Sequence, residues 1–209
     1  MRLNPTEFNQ LLNGLGQHFT LRKAFACPCV NPNSGAAKLN CPFCDGKGRQ
    51  WTAGVDGKAA VVSRDAMRKV VDIGLMDEGD MMISIPSDSP IYQIGQFDRV
   101  VTRNRTEPFS KNMVRGQNDV LKLPVLLIER ACWIDKSGQM VEAEPPTVGA
   151  DGVLSWRANA PPMGTTYSLT GRQQQEYFVY QEMPFDRPMH FGSTLPRKVI
   201  LRRFDLLGR

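Results

Sequence analysis

The chain has 209 residues, enough for one sizeable core or a main domain with a small appendage, and its 41% hydrophobic content far exceeds that of a disordered tail. Its formal charge of +5 is unevenly placed, with basic stretches at residues 1–51 and 197–209 around a slightly acidic middle. The start Met1-Arg2-Leu3-Asn4-Pro5 lacks the apolar core of a signal peptide, and no run approaches the ~18 apolar residues of a membrane helix, so a reducing cytoplasm and no membrane are expected.

A short helix comes first. Asn4 can cap it, Pro5 suits the first helical position, and Glu7 stands where a capping box needs it. Phe8, Leu11, Leu12 and Leu15 follow at helical spacing as one apolar stripe, which must be buried on its own domain or on a neighbour; Gly14 and Gly16 end the helix. Phe19–Phe25 and Arg49–Thr52 read as extended segments on either side of a cysteine-rich loop, with a soft boundary near residue 51. Lys58–Ser63 and Asp80–Pro86 read as strands, and Arg64–Val71 fits either a short helix or a strand.

Beyond the turn Ser87–Pro90, strands are expected over Phe97–Arg103, Val120–Leu123 and Val125–Ile134, the last turning through Asp135–Gly138 into Gln139–Ala143. Val153–Trp156, Thr165–Thr170 and Glu176–Glu182 continue the series, with Tyr167, Leu169, Phe178 and Tyr180 as packing residues. Cys132 is read as a small buried hydrophobe, and Lys198–Phe204 as an exposed strand. With 15 Pro and 18 Gly punctuating short strands, the expected class is mainly β: an antiparallel sandwich or barrel with a short N-terminal helix and a small zinc-ribbon-like lobe. The expected division is a helix plus metal-binding lobe over 1–51 and a β-rich domain over 52–209.

Four cysteines fall as Cys27-Pro28-Cys29 and Cys41-Pro42-Phe43-Cys44. Two close pairs across a short loop can converge four sulfurs on one tetrahedral Zn²⁺, and in a reducing compartment such pairs are metal ligands before they are disulfides. Gly46 and Gly48 permit the tight backbone that the second pair needs. Four thiolates leave no open coordination position for a catalytic water, so the expected metal is structural. A redox pair at Cys41 and Cys44 is the weaker reading, because no βαβ pattern surrounds it. His18 and His190 are the two histidines, and no nucleophile elbow, zinc-protease helix or phosphate loop occurs, so no enzyme is expected.

The tract Cys41–Gly48 resembles one C-x-x-C-x-G-x-G unit of DnaJ-type zinc domains, which use four; the likeness implies metal binding and no chaperone function. Residues 151–170 resemble strands of fibronectin type III modules, over too few strands to assign that fold. Cys27–Gly48, Gly79–Pro90 with Gln96–Val100, and Leu195–Phe204 together resemble head–tail connector or neck proteins of tailed bacteriophages. That likeness implies a virion subunit forming a homo-oligomeric ring between portal and tail, meeting portal, adaptor or tail proteins and helping to retain DNA. Phe8, Leu11, Leu12 and Leu15 would then dock on a neighbour. Arg22, Lys23, Arg197, Lys198, Arg202 and Arg203 would face acidic partners or, without sequence specificity, packaged DNA. The alternative is a zinc-ribbon nucleic-acid-binding protein, against which stands the scarcity of aromatics interleaved with Lys and Arg near the cysteines.

Overall fold

A computed structural model describes residues 4–77, 79–117, 119–183 and 187–207. In chain order the elements are α1 (Pro5–Leu15), β1 (Gln17–Arg22), β2 (Ala24–Ala26), β3 (Arg49–Trp51), β4 (Val55–Val61), α2 (Arg64–Asp72), β5 (Met81–Ile85), β6 (Arg99–Val114), β7 (Val125–Ile134), β8 (Met140–Ala143), β9 (Thr147–Val148), β10 (Leu154–Ser155), β11 (Thr166–Glu182), β12 (Met189–His190), β13 (Ser193–Thr194) and β14 (Arg197–Arg203). A 3₁₀ turn, Phe204–Leu206, follows β14. The fold is mainly β, as expected. The chain forms two compact units, residues 1–104 with 176–209, and residues 105–175. These divisions fall within β6 and β11; residues 1–51 are part of the first unit.

The first unit is a closed antiparallel barrel of six strands in the order β14-β5-β4-β1-β6-β11, shut by pairing of β11 with β14. Alternation along each strand sends one set of side chains inward. Phe19, Leu21, Ile83, Ile85, Val100, Val179, Val199 and Leu201 accordingly fill the interior. On the outside, α2 packs Val70 and Met67 over Met82 of β5 and Ile200 of β14. Both faces of β5 and β14 are thereby covered, which explains the unbroken apolar run Met81-Met82-Ile83. It also overturns the exposed strand expected at Lys198–Phe204: Val199, Ile200 and Leu201 are wholly buried, because the barrel takes one face and α2 the other. The ambiguous segment Arg64–Val71 is helical for the same reason, its apolar side chains being spaced to lie on that outer wall.

Asn4 caps α1, its Oδ1 accepting from the Thr6 N–H at 3.2 Å while its Nδ2 donates to Glu7 at 2.9 Å. Gly14 stays within the helix and Gly16 forms its C-cap. The stripe is not buried as a unit: Leu12 is enclosed, whereas Phe8, Leu11 and Leu15 face solvent. The helix is held instead by Asn9, whose amide donates to Ser87 Oγ at 2.8 Å and accepts from the Ser87 N–H at 3.1 Å.

In the second unit β11 pairs with β7, and β7 with β8, all antiparallel. Ile128, Ala131, Trp133, Ala143, Tyr167 and Leu169 form its core with Leu121 from a loop and Leu154 from β10. Two of the strands expected here are one: β11 runs through Gly171–Gln175 with register shifts at Thr170/Gly171 and Arg172/Gln173, so bulges absorb the polar stretch between them. Likewise β6 continues to Val114, well past the expected end at Arg103. Val120–Leu123 is not a strand. Val120 makes one bridge to Val153 and Leu121 anchors the loop in the core, while Pro124 has no N–H with which to extend a ladder. Cys132 is half-buried rather than enclosed.

Gly171 is required where it stands: a Cβ there would lie 2.1 Å from the Leu127 carbonyl oxygen. Gly171→Ala is therefore expected to destabilise the protein by roughly 2–3 kcal/mol, read as a shift of the urea midpoint.

Asp119 supplies the polar anchor of this unit. It accepts from the Tyr167 hydroxyl at 2.7 Å, the Gly116 N–H at 2.8 Å and Arg115 at 2.9 Å. Burial alone would raise its carboxyl, but those three donors outweigh it and hold the group below the ordinary aspartate range. Its folded pKa lies below the unfolded one, so its contribution is complete above the unfolded value of about 4 and is lost as pH falls through the folded value. The stability gap between wild type and Asp119→Asn should narrow on acidification from about pH 6 to about pH 3, measured by urea titration at each pH.

Candidate metal centre

The cysteine lobe grows from a two-stranded ladder. β2 pairs with β3 in the register Ala24↔Trp51, Phe25↔Gln50, Ala26↔Arg49, and the Cys27 N–H extends it by donating to the Gly48 carbonyl at 2.9 Å. Cys27 and Cys29 leave the end of β2 on a turn closed by Val30 N–H to Cys27 C=O at 3.0 Å. The connecting loop folds on Asn31, whose side-chain oxygen accepts from the Asn33 and Ser34 N–H groups at 2.8 and 3.2 Å. Cys41 and Cys44 stand on a second turn, in which Asp45 N–H donates to Cys41 C=O and Lys47 N–H to Cys44 C=O, both at 2.9 Å. That turn requires left-handed backbone at Asp45 and Gly46, with φ of 48° and 77°.

These two turns aim four sulfurs at one point. All lie within 4.8 Å of one another, with Cys27 to Cys41 at 3.9 Å and Cys29 to Cys44 at 3.5 Å. Four sulfurs at ~2.3 Å from a tetrahedral ion would be separated by about 3.8 Å. Cys27, Cys41 and Cys44 are buried and Cys29 is half-buried. The four-cysteine set can therefore hold a metal ion.

Local donors support thiolate character at Cys41. The Phe43 backbone N–H, with that of Cys44, brings the Cys41 thiol down to about 7. On Cys29 the Lys38 N–H acts in the same direction, but burial and the neighbouring thiols Cys27, Cys44 and Cys41 together push it up to about 12. Crowded thiols oppose one another's ionisation, and a divalent cation at their centre removes that conflict. Gln50 adds a side-chain donor 3.6 Å from Cys27 Sγ.

The lobe is tied to the barrel by residues that the sequence did not single out. Asp98, 3% exposed, accepts from the Ala24 N–H at 2.7 Å and the Gly95 N–H at 2.8 Å, and pairs with Lys23 at 2.9 Å. Beside it Phe97 holds φ of 68°, an uncommon conformation for a bulky residue. Its N–H donates to Val179 C=O, its carbonyl accepts from the Trp51 indole at 3.1 Å, and the Arg49 guanidinium lies 3.7 Å above its ring. Trp51 meets Phe204 edge-on at 5.2 Å, Arg99 lies 4.3 Å over the Phe204 ring, and Lys47 donates to Leu207 C=O at 3.2 Å.

Of the basic residues expected to face partners, Arg22 and Lys198 are exposed. Lys23 is engaged with Asp98 and Gln93. Arg197 pairs with Glu182 and donates to Tyr92 C=O at 3.0 Å. Arg202 binds Asp77 and Asp80 and stacks 3.7 Å from the Tyr180 ring, and Arg203 pairs with Asp205 at 3.6 Å. Most of this set serves the chain's own fold. Leu12 likewise offers nothing outward.

The fold and site define a closed antiparallel barrel carrying a four-cysteine lobe. No helix among the described residues is long and apolar enough to cross a membrane. No protein-family model matches the chain, and no curated protein matches it.

Proposed function

We propose that this protein is a structural subunit of a tailed-bacteriophage neck, assembling as a ring at the head–tail junction around a lobe stapled by one Zn²⁺ on Cys27, Cys29, Cys41 and Cys44. The observation that carries the reading is the four-sulfur cluster, all within 4.8 Å of one another. Zinc suits an all-thiolate tetrahedral donor set, and with four protein ligands the ion acts as a strut and offers no position for substrate. Two further features support an assembly role. The lobe is fastened to the barrel wall through Asp98, Phe97 and Trp51, so rigidity of the metal site is passed to the scaffold. Large apolar side chains, notably Phe8, Leu11, Phe43 and Phe191, are left on the surface. The location comes from the resemblance of Cys27–Gly48, Gly79–Pro90 with Gln96–Val100, and Leu195–Phe204 to neck proteins.

Nucleic-acid binding is the less favoured reading, because Arg197, Arg202 and Arg203 are spent on carboxylates of the same chain. The test is electron microscopy of the particle assembled from the genome that encodes this chain. A ring of barrels between portal and tail is the expected result; particles complete at the junction without this chain would end the proposal.

A further inference from the structure

The first unit leaves two apolar surfaces open, and we propose that they are two halves of one interface: the outer face of α1 in one copy seats in the groove of the cysteine lobe in the next. The inference rests on the ring reading above and names the contact that would build it.

The helix is mounted the wrong way round for a helix that serves only its own domain. Asn9 turns inward to its paired bonds with Ser87, and Asn13 reaches Asp88 at 3.4 Å, while Phe8, Leu11 and Leu15 are left 41%, 55% and 67% exposed. At 100° per residue these three fall within about 60° of one another around the axis, and they span about 10 Å along it. The polar anchors fix the rotation of the helix so that its apolar face points outward.

The groove on the lobe is lined by Phe25, Pro28, Pro42 and Phe43, is edged by Lys38 and Gln50, and borders the metal site through Cys27, Cys29 and Cys41. Phe25 is 45% and Phe43 78% exposed.

The two surfaces also match in charge. Glu7 flanks Leu11 on the helix, and its carboxylate is exposed. Lys38 edges the groove, is exposed, and has no ion-pair partner among the described residues. Within one chain both surfaces remain open, so neither covers the other; a second copy supplies to each what it lacks. Because the two patches differ, the contact is head-to-tail, the type that closes into rings or extends into filaments.

The test is sedimentation velocity of the full-length, metal-loaded chain as wild type, Leu11→Asp, Phe43→Asp and a 1:1 mixture of the two variants. Wild type should self-associate with rising concentration, and each variant alone should associate at least about 30-fold more weakly. The mixture should form a dimer and nothing larger, because one intact helix meets one intact groove; a misfolded variant could not complement in this way. Association that survives either substitution, a mixture that yields no dimer, or a wild type that stays monomeric overturns the inference. A ring seen at the neck with a different contact would leave the assembly reading standing without it.

Discussion

Cys41→Ser is expected to abolish stoichiometric zinc binding and to unfold residues 27–48. The reason lies in what the lobe has for a core. Its buried cluster is the ligand set itself, Cys27, Cys41 and Cys44, with Cys29 and Val30 packed against it. From the barrel side it is joined by the three-residue ladder of β2 and β3 and by the Lys47 bond to the Leu207 carbonyl. Without the ion, a segment of this length has almost no apolar surface with which to offset its conformational entropy. Structural zinc contributes about 10–16 kcal/mol in zinc-finger peptides, and that binding energy is folding energy. Serine offers a hard, protonated hydroxyl in place of a soft thiolate. Changes to groups that merely hydrogen-bond a ligand cost about 10–100-fold in metal affinity, so loss of a ligand should cost more than about 100-fold. One zinc per wild-type chain by mass spectrometry of metals, its loss in Cys41→Ser, and fast hydrogen exchange over 27–48 in the variant are the expected results. Alkylation gives an independent reading: metal should protect four thiols and leave half-buried Cys132 to react first. Equal zinc content in wild type and variant, or reactive Cys41 and Cys44 in the metal-loaded protein, would remove the strut from the proposal.

The cysteine site was legible in the sequence because its information is local: two pairs, a turn-rich spacer and glycines that fold tightly, all within 22 residues. β7 was legible for a similar reason, its apolar run being closed by the loop Asp135–Gly138. What the sequence hid depends on distant partners. The period of α1 announces an amphipathic helix, yet the face turned inward is chosen by Ser87, 78 positions from Asn9. β14 reads as exposed because basic residues flank it, and only its insertion between β5 and β11 beneath α2 buries it. β11 reads as two strands, Thr165–Thr170 and Glu176–Glu182, with a polar stretch between them; the close approach of Leu127 at Gly171 and the bulges that follow carry it through as one. Asp98 is one carboxylate among many in sequence. Gly95 lies only three positions before it, but nothing short of the fold brings Ala24 and Lys23 to it.

Asp98→Ala is expected to destabilise the first unit by roughly 3–5 kcal/mol, the range for breaking a buried charged network from one side. The carboxylate is 4% exposed and satisfies two backbone N–H groups from separate segments, Ala24 at the root of the lobe and Gly95 before β6. Alanine would leave both donors without an acceptor, at about 1–3 kcal/mol each. Asn at this position keeps the volume and one carbonyl oxygen, so Asp98→Asn should fall between wild type and alanine. Lys23→Met should cost only about 0–1 kcal/mol, because the lysine is 46% exposed and can return its charge to water when unpaired. The order separates the backbone anchor from the ion pair: if the pair were the important part, Lys23→Met would approach Asp98→Ala. There is a second consequence. Phe97 keeps its left-handed backbone, worth about 1–3 kcal/mol of strain, only while Val179, Trp51 and Arg49 hold it from three sides. Asp98 fixes the next residue in that arrangement, so its loss should let Phe97 relax and free Trp51 from its carbonyl. Urea midpoints for the four proteins, followed by tryptophan fluorescence, measure both effects. A cost below about 1 kcal/mol for Asp98→Ala, with Trp51 unchanged, would mean that the lobe is held to the barrel by the aromatic contacts of Trp51 and Phe204 alone.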